Sequence, residues 1–237
     1  LHFAFEIPAS SYTTTRECEV EIKYEDEHCL IVSKPSGMST HPNDEWDRDT
    51  CMNHVMKHIQ DNGGHYAEHV HRLDQGTKGL LLIAKNPIAK SIFDRMIEEK
   101  TITRTYAAEV QGNIRSESGT IKAAIGKDRH HSTRRVVSDS GQHAVTHFEV
   151  VNRYKFTCVV HLILETGRTH QIRVHMNYIG FPLAGDPKYG PKKTIDFGGQ
   201  VLHAGVLGFV HPVTKEYLEF SSPLPADFQE LLAELRN

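Results

Sequence analysis

The alternation of apolar and polar residues between 154 and 165 restricts the architecture most. Phe156, Cys158, Val160, Leu162 and Leu164 recur there at every second position. Side chains two residues apart share one face of an extended strand, so these five are expected on one face of a sheet. Segments 80–84, 104–111, 144–151 and 201–210 also read as strands, and Cys29 to Ser33 is an apolar run closed by the turn Lys34-Pro35-Ser36-Gly37. Helical spacing is rarer. Thr50 can cap a helix whose buried stripe is Val55, Met56 and Ile59, stopped by Asp61-Asn62-Gly63-Gly64. Asn86-Pro87 opens a second, with Ile88, Ile92, Phe93, Met96 and Ile97 on one side. Thr169 can cap a third, with Ile172, Met176 and Ile179 apolar and Gly180 placed to end it. The last, about 225–236, sets Phe228, Leu231, Leu232 and Leu235 together. Strands outnumber helices and do not alternate regularly with them, which argues against a doubly wound sheet. The expectation is an α+β domain around a large mixed, mostly antiparallel sheet with flanking helices.

Residues 1–18 lack clear periodicity and read as an N-terminal tail or linker, leaving 19–237 as the folded domain. No apolar run approaches bilayer length and no secretory pattern opens the chain, so no membrane association is expected. Four scattered cysteines without a CxxC pair read as free thiols, which points to the cytoplasm. The net charge of −3 argues at first against a nucleic-acid partner. Its distribution does not. Residues 1–50 hold eleven acids and four bases, whereas 100–135 hold eight bases and three acids. A basic region on a near-neutral chain can still attract phosphates, although a solvated mixed-charge loop gives the same pattern.

Asp74 lies in His71-Arg72-Leu73-Asp74-Gln75-Gly76-Thr77-Lys78-Gly79, directly before the apolar run Leu80 to Ala84. Such a carboxylate is either an Asx-turn opening a strand or an acid held at a sheet rim within reach of substrate. Three further segments carry weight in combination with it: KPSGMSTHP at 34–42, RTYAAEVQG at 104–112 and ETGRTHQIRVHMNYIGFPLAGDPKYG at 165–190. In this order and spacing the four segments resemble the RluA-type pseudouridine synthases over roughly residues 19–225.

That resemblance implies an α+β catalytic domain with a central RNA-binding cleft and a cofactor-free, metal-free isomerisation of uridine in ribosomal or transfer RNA. The N1 glycosidic bond is broken, the base turns, and C5 is joined to the same sugar carbon. By the same resemblance Asp74 is the nucleophile, Tyr106 lies against the target uracil, and Arg72 helps fill the space left by the extruded nucleotide. The nucleophile must be ionised, and a fixed cation is needed to oppose burial beside a base. Arg173 is the candidate, with Arg168 as the competing choice or as a phosphate contact. The basic stretch 127–135, with Lys127, Arg129, Arg134 and Arg135, is the candidate phosphate-gripping loop, part of an exposed hairpin or loop over 126–143. Lys34 either borders the same cleft or is a solvated turn lysine. One departure stands out: the family commonly has Ser where this chain has Lys78, which puts an RNA-backbone contact in doubt. A monomer is the family default.

Other classes stay in view. Seventeen histidines invite a metal reading, but no HExxH or comparable spacing is present. An RNA N-glycosidase would use Asp74 with a second carboxylate to activate water, for which Glu165 or Asp186 could serve. A third reading is an RNA-binding module that keeps the fold without the reaction.

Overall fold

The structure is a computed structural model that describes residues 8–191, 195 and 197–236. The strands begin with β1 (Glu21–Glu25), β2 (Cys29–Lys34), β3 (Glu68–His69), β4 (Lys78–Ala84), β5 (Thr103–Gln111) and β6 (Ser118–Lys122). They continue with β7 (Ile125–Lys127), β8 (Arg135–Val137), β9 (Val145–Arg153), β10 (Thr157–Leu164), β11 (Leu202–Val210) and β12 (Tyr217–Ser221). The helices are α1 (Cys51–Asp61), α2 (Pro87–Glu98), α3 (Gln171–Tyr178) and α4 (Ala226–Leu235). Ten strands form one sheet in the order β1-β2-β4-β11-β5-β10-β9-β6, with β3 added to β4 and β12 to β11. β7 and β8 form a separate hairpin within the segment expected to be exposed. Among these pairings only β4 with β11 is parallel, so the chain adopts the expected α+β class with a mostly antiparallel sheet.

Strand period sorts side chains between two layers. From β2 and β4, Leu30, Val32, Leu81 and Ile83 join the main core with α1 and α3. Their neighbours Cys29, Ile31, Leu80 and Leu82 join a second cluster with Phe93 and Met96 of α2. Phe228, Leu231 and Leu232 of α4 close a third cluster with Ala107 and Val159. On β10, Cys158, Val160 and Leu162 are fully buried, and burial of a side chain of this size contributes about 1.5–3 kcal/mol. Phe156 departs from that row and is 71% exposed. It falls in the β9–β10 turn, before strand geometry begins to direct side chains.

The first two helices start where local chemistry dictates. Asn53 Oδ1 accepts from the Thr50 N–H at 3.0 Å and its hydroxyl at 2.6 Å. Asn86 Oδ1 accepts from the Ala89 N–H at 2.8 Å. In α2 the buried stripe is Ala89, Phe93 and Met96, and Ile88 is 69% exposed. Ile88 sits about 100° around the helix from Ala89, off the stripe that i, i+4, i+7 spacing defines. Thr169 does not cap α3. The helix begins at Gln171, with His170 before it in the left-handed region at φ 58°. Gln171 fixes its own entry: Oε1 accepts from the Thr166 hydroxyl at 2.7 Å and the Arg168 N–H at 3.0 Å, while Nε2 donates to Val145 O at 2.9 Å. Gly180, at φ +88°, ends the helix as its position suggested.

Two features set up the site. Gly79 has φ +115°, and a Cβ there would lie 2.2 Å from Ala204 O, so only glycine allows β4 and β11 to approach. Ala204 pairs with Gly79 on one side and with Tyr106 on the other. The start of β4, which follows Asp74 closely, is thereby placed two strands from Tyr106. Ahead of β1, segment 8–18 has no regular structure but is tied to the domain. Ser10 donates to Ala67 O at 2.6 Å and Asn53 Nδ2 donates to Thr13 O at 2.7 Å.

Candidate active site

Asp74 occupies the first position of a turn closed by the Thr77 N–H donating to Asp74 O at 2.9 Å. The preceding residue is fixed by Thr40, whose hydroxyl donates to Leu73 O at 2.8 Å and accepts from its N–H at 3.0 Å. Lys34 anchors the following one. Its ammonium donates to Pro35 O at 2.8 Å, Met38 O at 2.7 Å and Gln75 O at 3.2 Å. Lys34 is 1% exposed, so the solvated-turn reading is set aside. Burial pulls its pKa down to about 8. The KPSG turn and the aspartate turn are therefore one rigid unit built around a buried cation.

Arg173 projects from α3 toward this unit. Its Nη1 donates to Asp74 Oδ2 at 3.0 Å, while Nε and Nη2 each donate to Asp186 at 2.8 Å. Asp186 is sealed from solvent, and its Oδ1 also accepts from the N–H groups of Lys188 at 2.8 Å and Tyr189 at 3.0 Å. Burial pushes the Asp186 carboxyl upward, but Arg173 and these backbone donors hold it below the usual carboxylate range. Burial likewise opposes the Arg173 charge; the hydrogen bonds and charge of Asp186, then Asp74, outweigh it and raise its pKa. The Asp74 side chain keeps 15% exposure. One carboxylate thus fixes the guanidinium while the other faces the cleft.

Two cavities meet at this pair. One, of about 590 Å³, is lined by Asp74, Arg173, Tyr106, Arg72 and Arg168. The second, of about 470 Å³, shares Asp74, Arg173 and Arg72 and extends to His41 and Gln75. Arg72 is exposed and lines both. Tyr106 is 5% exposed, and burial raises its hydroxyl pKa. Arg168 donates through Nε to His143 O at 3.0 Å and is exposed at the rim. Lys127 and Arg129 are exposed on the β7–β8 hairpin and line neither cavity. Arg134 ends the connecting loop, and Arg135 opens β8 opposite Lys127. The Arg134 guanidinium lies 5.2 Å from the Tyr189 ring centre, and the Arg135 N–H donates to the Tyr189 hydroxyl at 2.8 Å. Arg173 lies 5.1 Å from the same ring, so Tyr189 joins the hairpin to the Asp74 partner.

Several contributors carried no local signal of their role. Asp186, inside the matched segment 165–190, was read only as a possible second acid of a glycosidase; its two oxygens belong to Arg173. His170 holds left-handed backbone beside the cleft, and its Nδ1 lies 2.8 Å from the Tyr189 hydroxyl. Burial lowers the His170 pKa to about 4, so the ring is neutral at neutral pH. Lys78 turns away from both cavities to form an ion pair with Asp227 of α4 and lies 5.5 Å from the Phe197 ring centre. Lys78 is thus engaged with α4, on the side of β4 away from the Asp74 cavities.

The glycosidase reading loses its second acid. Asp186 is occupied and sealed, and Glu165 is bound by Lys100 at 2.6 Å and His147 at 2.7 Å, with the Lys100 hydrogen bond foremost in lowering its pKa to about 2. The structure does gather Asp26, Cys29 and His211, whose ligand-type atoms lie within 4.8 Å of one another. Their lone pairs are committed. Asp26 Oδ1 accepts from His28 N at 2.7 Å and Cys29 N at 2.8 Å, and Oδ2 accepts from the Tyr24 hydroxyl at 2.8 Å. His211 Nδ1 accepts from Thr214 N at 3.0 Å, which leaves the ring proton on Nε2, facing Asp26 Oδ2 at 2.9 Å. Burial, then Asp26, keeps the Cys29 thiol protonated. With Asp26 Oδ1 and His211 Nδ1 taken by backbone N–H groups and Cys29 protonated, this set does not suit a metal.

The structure superposes on human RNA pseudouridylate synthase domain containing 4 with a TM-score of 0.75 at 21% identity, covering 91% of this chain and 93% of that one. For human RNA pseudouridylate synthase domain containing 1 the TM-score is 0.71 at 25% identity, covering 92% and 95%. The RNA pseudouridylate synthase family profile matches residues 28–178. An uncharacterized RNA pseudouridine synthase of Bacillus subtilis, YlyB, is 51% identical over 222 residues, 92% of this chain and 73% of that protein. Ribosomal large subunit pseudouridine synthase D of Pseudomonas aeruginosa is 40% identical over 235 residues, 93% of this chain and 73% of that one. The chain belongs to the RNA pseudouridylate synthase family, in its RluA branch, and is an RNA uridine isomerase.

Proposed function

We propose that this enzyme converts specific uridines of ribosomal RNA, in its large-subunit component, to pseudouridine with Asp74 as nucleophile. The observation that carries the reading is the 3.0 Å contact between Asp74 and Arg173 at the junction of two cavities. The Arg173 guanidinium supplies the positive charge and hydrogen bond that the anionic form of Asp74 requires. The carboxylate attacks the sugar carbon as the N1 bond breaks, and the detached uracil turns over Tyr106. C5 then takes the carbon back, releasing the carboxylate; the C5 proton leaves to solvent or a nearby base, and N1 takes up a proton, so the product is an isomer of the substrate. Tyr106 offers an aromatic face in place of lost stacking, worth about 1–3 kcal/mol per base. Arg72, exposed at the ridge between the cavities, fits the space an extruded nucleotide vacates.

The ribosomal assignment draws on relatives named ribosomal large subunit pseudouridine synthase D in five different bacteria. Transfer RNA is the competing substrate. The hairpin with Lys127, Arg129, Arg134 and Arg135, together with Arg168, suits backbone contact, since phosphate contacts supply affinity without sequence information. The same proposal includes a monomer acting in the cytoplasm, supported by four free cysteines. Site-resolved mapping of pseudouridine in cells with and without the protein tests it. One or more large-subunit ribosomal uridines should lose modification and regain it with the intact gene but not with Asp74→Ala. Restoration by Asp74→Ala, or loss confined to transfer RNA, would refute the respective part.

A further inference from the structure

Arg104 lies on β5 two residues before Tyr106, so both side chains point to the same side of the strand. Both line the cavity that contains Asp74. Arg104 is 5% exposed, its Nε is buried without a hydrogen-bond partner, and no carboxylate forms an ion pair with it among the described residues. Of the acids that line this cavity, Asp74 is paired with Arg173 at 3.0 Å, and Glu165 is committed to Lys100 at 2.6 Å and His147 at 2.7 Å. Space for the guanidinium is reserved by Gly167, where a Cβ would stand 3.0 Å from Arg104 Nη1.

His71 adds a second donor to this wall. Its Nε2 accepts from the Leu82 N–H at 3.2 Å, which places the ring proton on Nδ1. That Nδ1 is itself buried and without a partner, and His71 is 8% exposed in the same cavity. Two unpaired buried donors in a single wall are costly to folding unless a ligand supplies the acceptors. A uracil carbonyl would satisfy a hydrogen bond but would leave the guanidinium charge uncompensated. An oxyanion answers both.

We propose that Arg104 and His71 form a binding site for a phosphate group of the nucleotide that enters the Asp74 cavity. The site rests on the isomerase reading above and names a contact within it. Arg104 holds the phosphate through charge-assisted hydrogen bonds, His71 adds a neutral donor, and the nucleoside is thereby indexed against Tyr106 and Asp74.

Equilibrium binding tests this without knowledge of the RNA target. Uridine, uridine 5′-monophosphate and uridine 3′-monophosphate are titrated into the full chain and followed by nuclear magnetic resonance shifts. At least one monophosphate should bind roughly tenfold more tightly than uridine, as expected of a charge-assisted contact. Arg104→Met should bring that monophosphate within about twofold of uridine and leave uridine itself unchanged, and Arg104→Lys should retain part of the preference. The melting temperature of Arg104→Met should stay level or rise, because an unpaired buried charge is removed. The proposal is overturned if neither monophosphate outcompetes uridine, if Arg104→Met keeps the preference or weakens uridine equally, or if its melting temperature falls by more than about 5 °C. Turnover by the unaltered enzyme is scored separately, so loss of phosphate preference and loss of the isomerase reading are distinguishable.

Discussion

Asp74 and Asp186 share one guanidinium, yet their removal should have opposite consequences. Asp186→Asn leaves Arg173 one acceptor where it had two and turns an amide donor toward a cation inside a fully buried site. Breaking a buried pair in this way costs roughly 3–5 kcal/mol. In a chain of this size 1 kcal/mol moves the melting temperature by about 2–4 °C, so a fall on the order of 6–20 °C is expected. Asp74→Asn leaves Arg173 clamped by Asp186 and removes one bond at a partly exposed carboxylate. Its cost should be about 1–2 kcal/mol, with turnover abolished. Thermal denaturation from pH 8 down to pH 3, paired with a turnover assay, separates the two. The folded Asp186 pKa is depressed. Its contribution is therefore fully present above the unfolded carboxylate value of about 3.9 and is lost as pH falls through the lower folded value. The gap between wild type and Asp186→Asn should stay constant from pH 8 to about pH 5 and shrink only below about pH 4. An Asp186→Asn protein melting within about 2 °C of wild type, or a gap that already narrows near neutrality, would refute the division of labour.

Gly79→Ala should lower stability by at least about 2 kcal/mol and depress turnover, because left-handed strain and the clash with Ala204 O act together; an unchanged melting curve would contradict the close approach. Lys34 should titrate near pH 8, seen in its side-chain carbon resonances. Since its folded pKa is depressed, the unfolded chain binds this proton more tightly, and the group's penalty on stability is relieved as pH rises from about 8 toward 10.4. A midpoint near the unperturbed value would remove the buried-cation account. If the hairpin grips phosphates, Lys127→Ala and Arg129→Ala should each flatten the salt dependence of RNA affinity by about one counterion, and an unchanged slope would exclude them.

Sequence and structure agree where a residue's role is decided by its neighbours in the chain. Alternation placed Cys158, Val160 and Leu162 on one buried row, and Thr50 and Asn86 stand where α1 and α2 begin. Agreement ends where distant segments decide. Lys78 is claimed by Asp227, 149 residues away. The start of α3 is set by Gln171 reaching Val145 and Thr166, so the cap-like Thr169 is passed over. Arg173 could be read as a partner for Asp74 only through the family resemblance, and its second clamp Asp186 suggested only the water-activating acid of a glycosidase. Arg104 and His71 looked like ordinary members of matched segments. Nothing local distinguishes a buried donor that has a partner from one that lacks it.

The parallel seam between β4 and β11 has a consequence for how the enzyme comes into being. β11 is inserted between two strands made more than ninety residues earlier. While a ribosome is still making the chain, β4 and β5 cannot be bridged until β11 has emerged, and each presents an open edge. Pairing across so long a separation is slow. The nucleophile's turn and the tyrosine strand therefore come into register late in synthesis, and shorter nascent forms would hold two unjoined halves of a cleft.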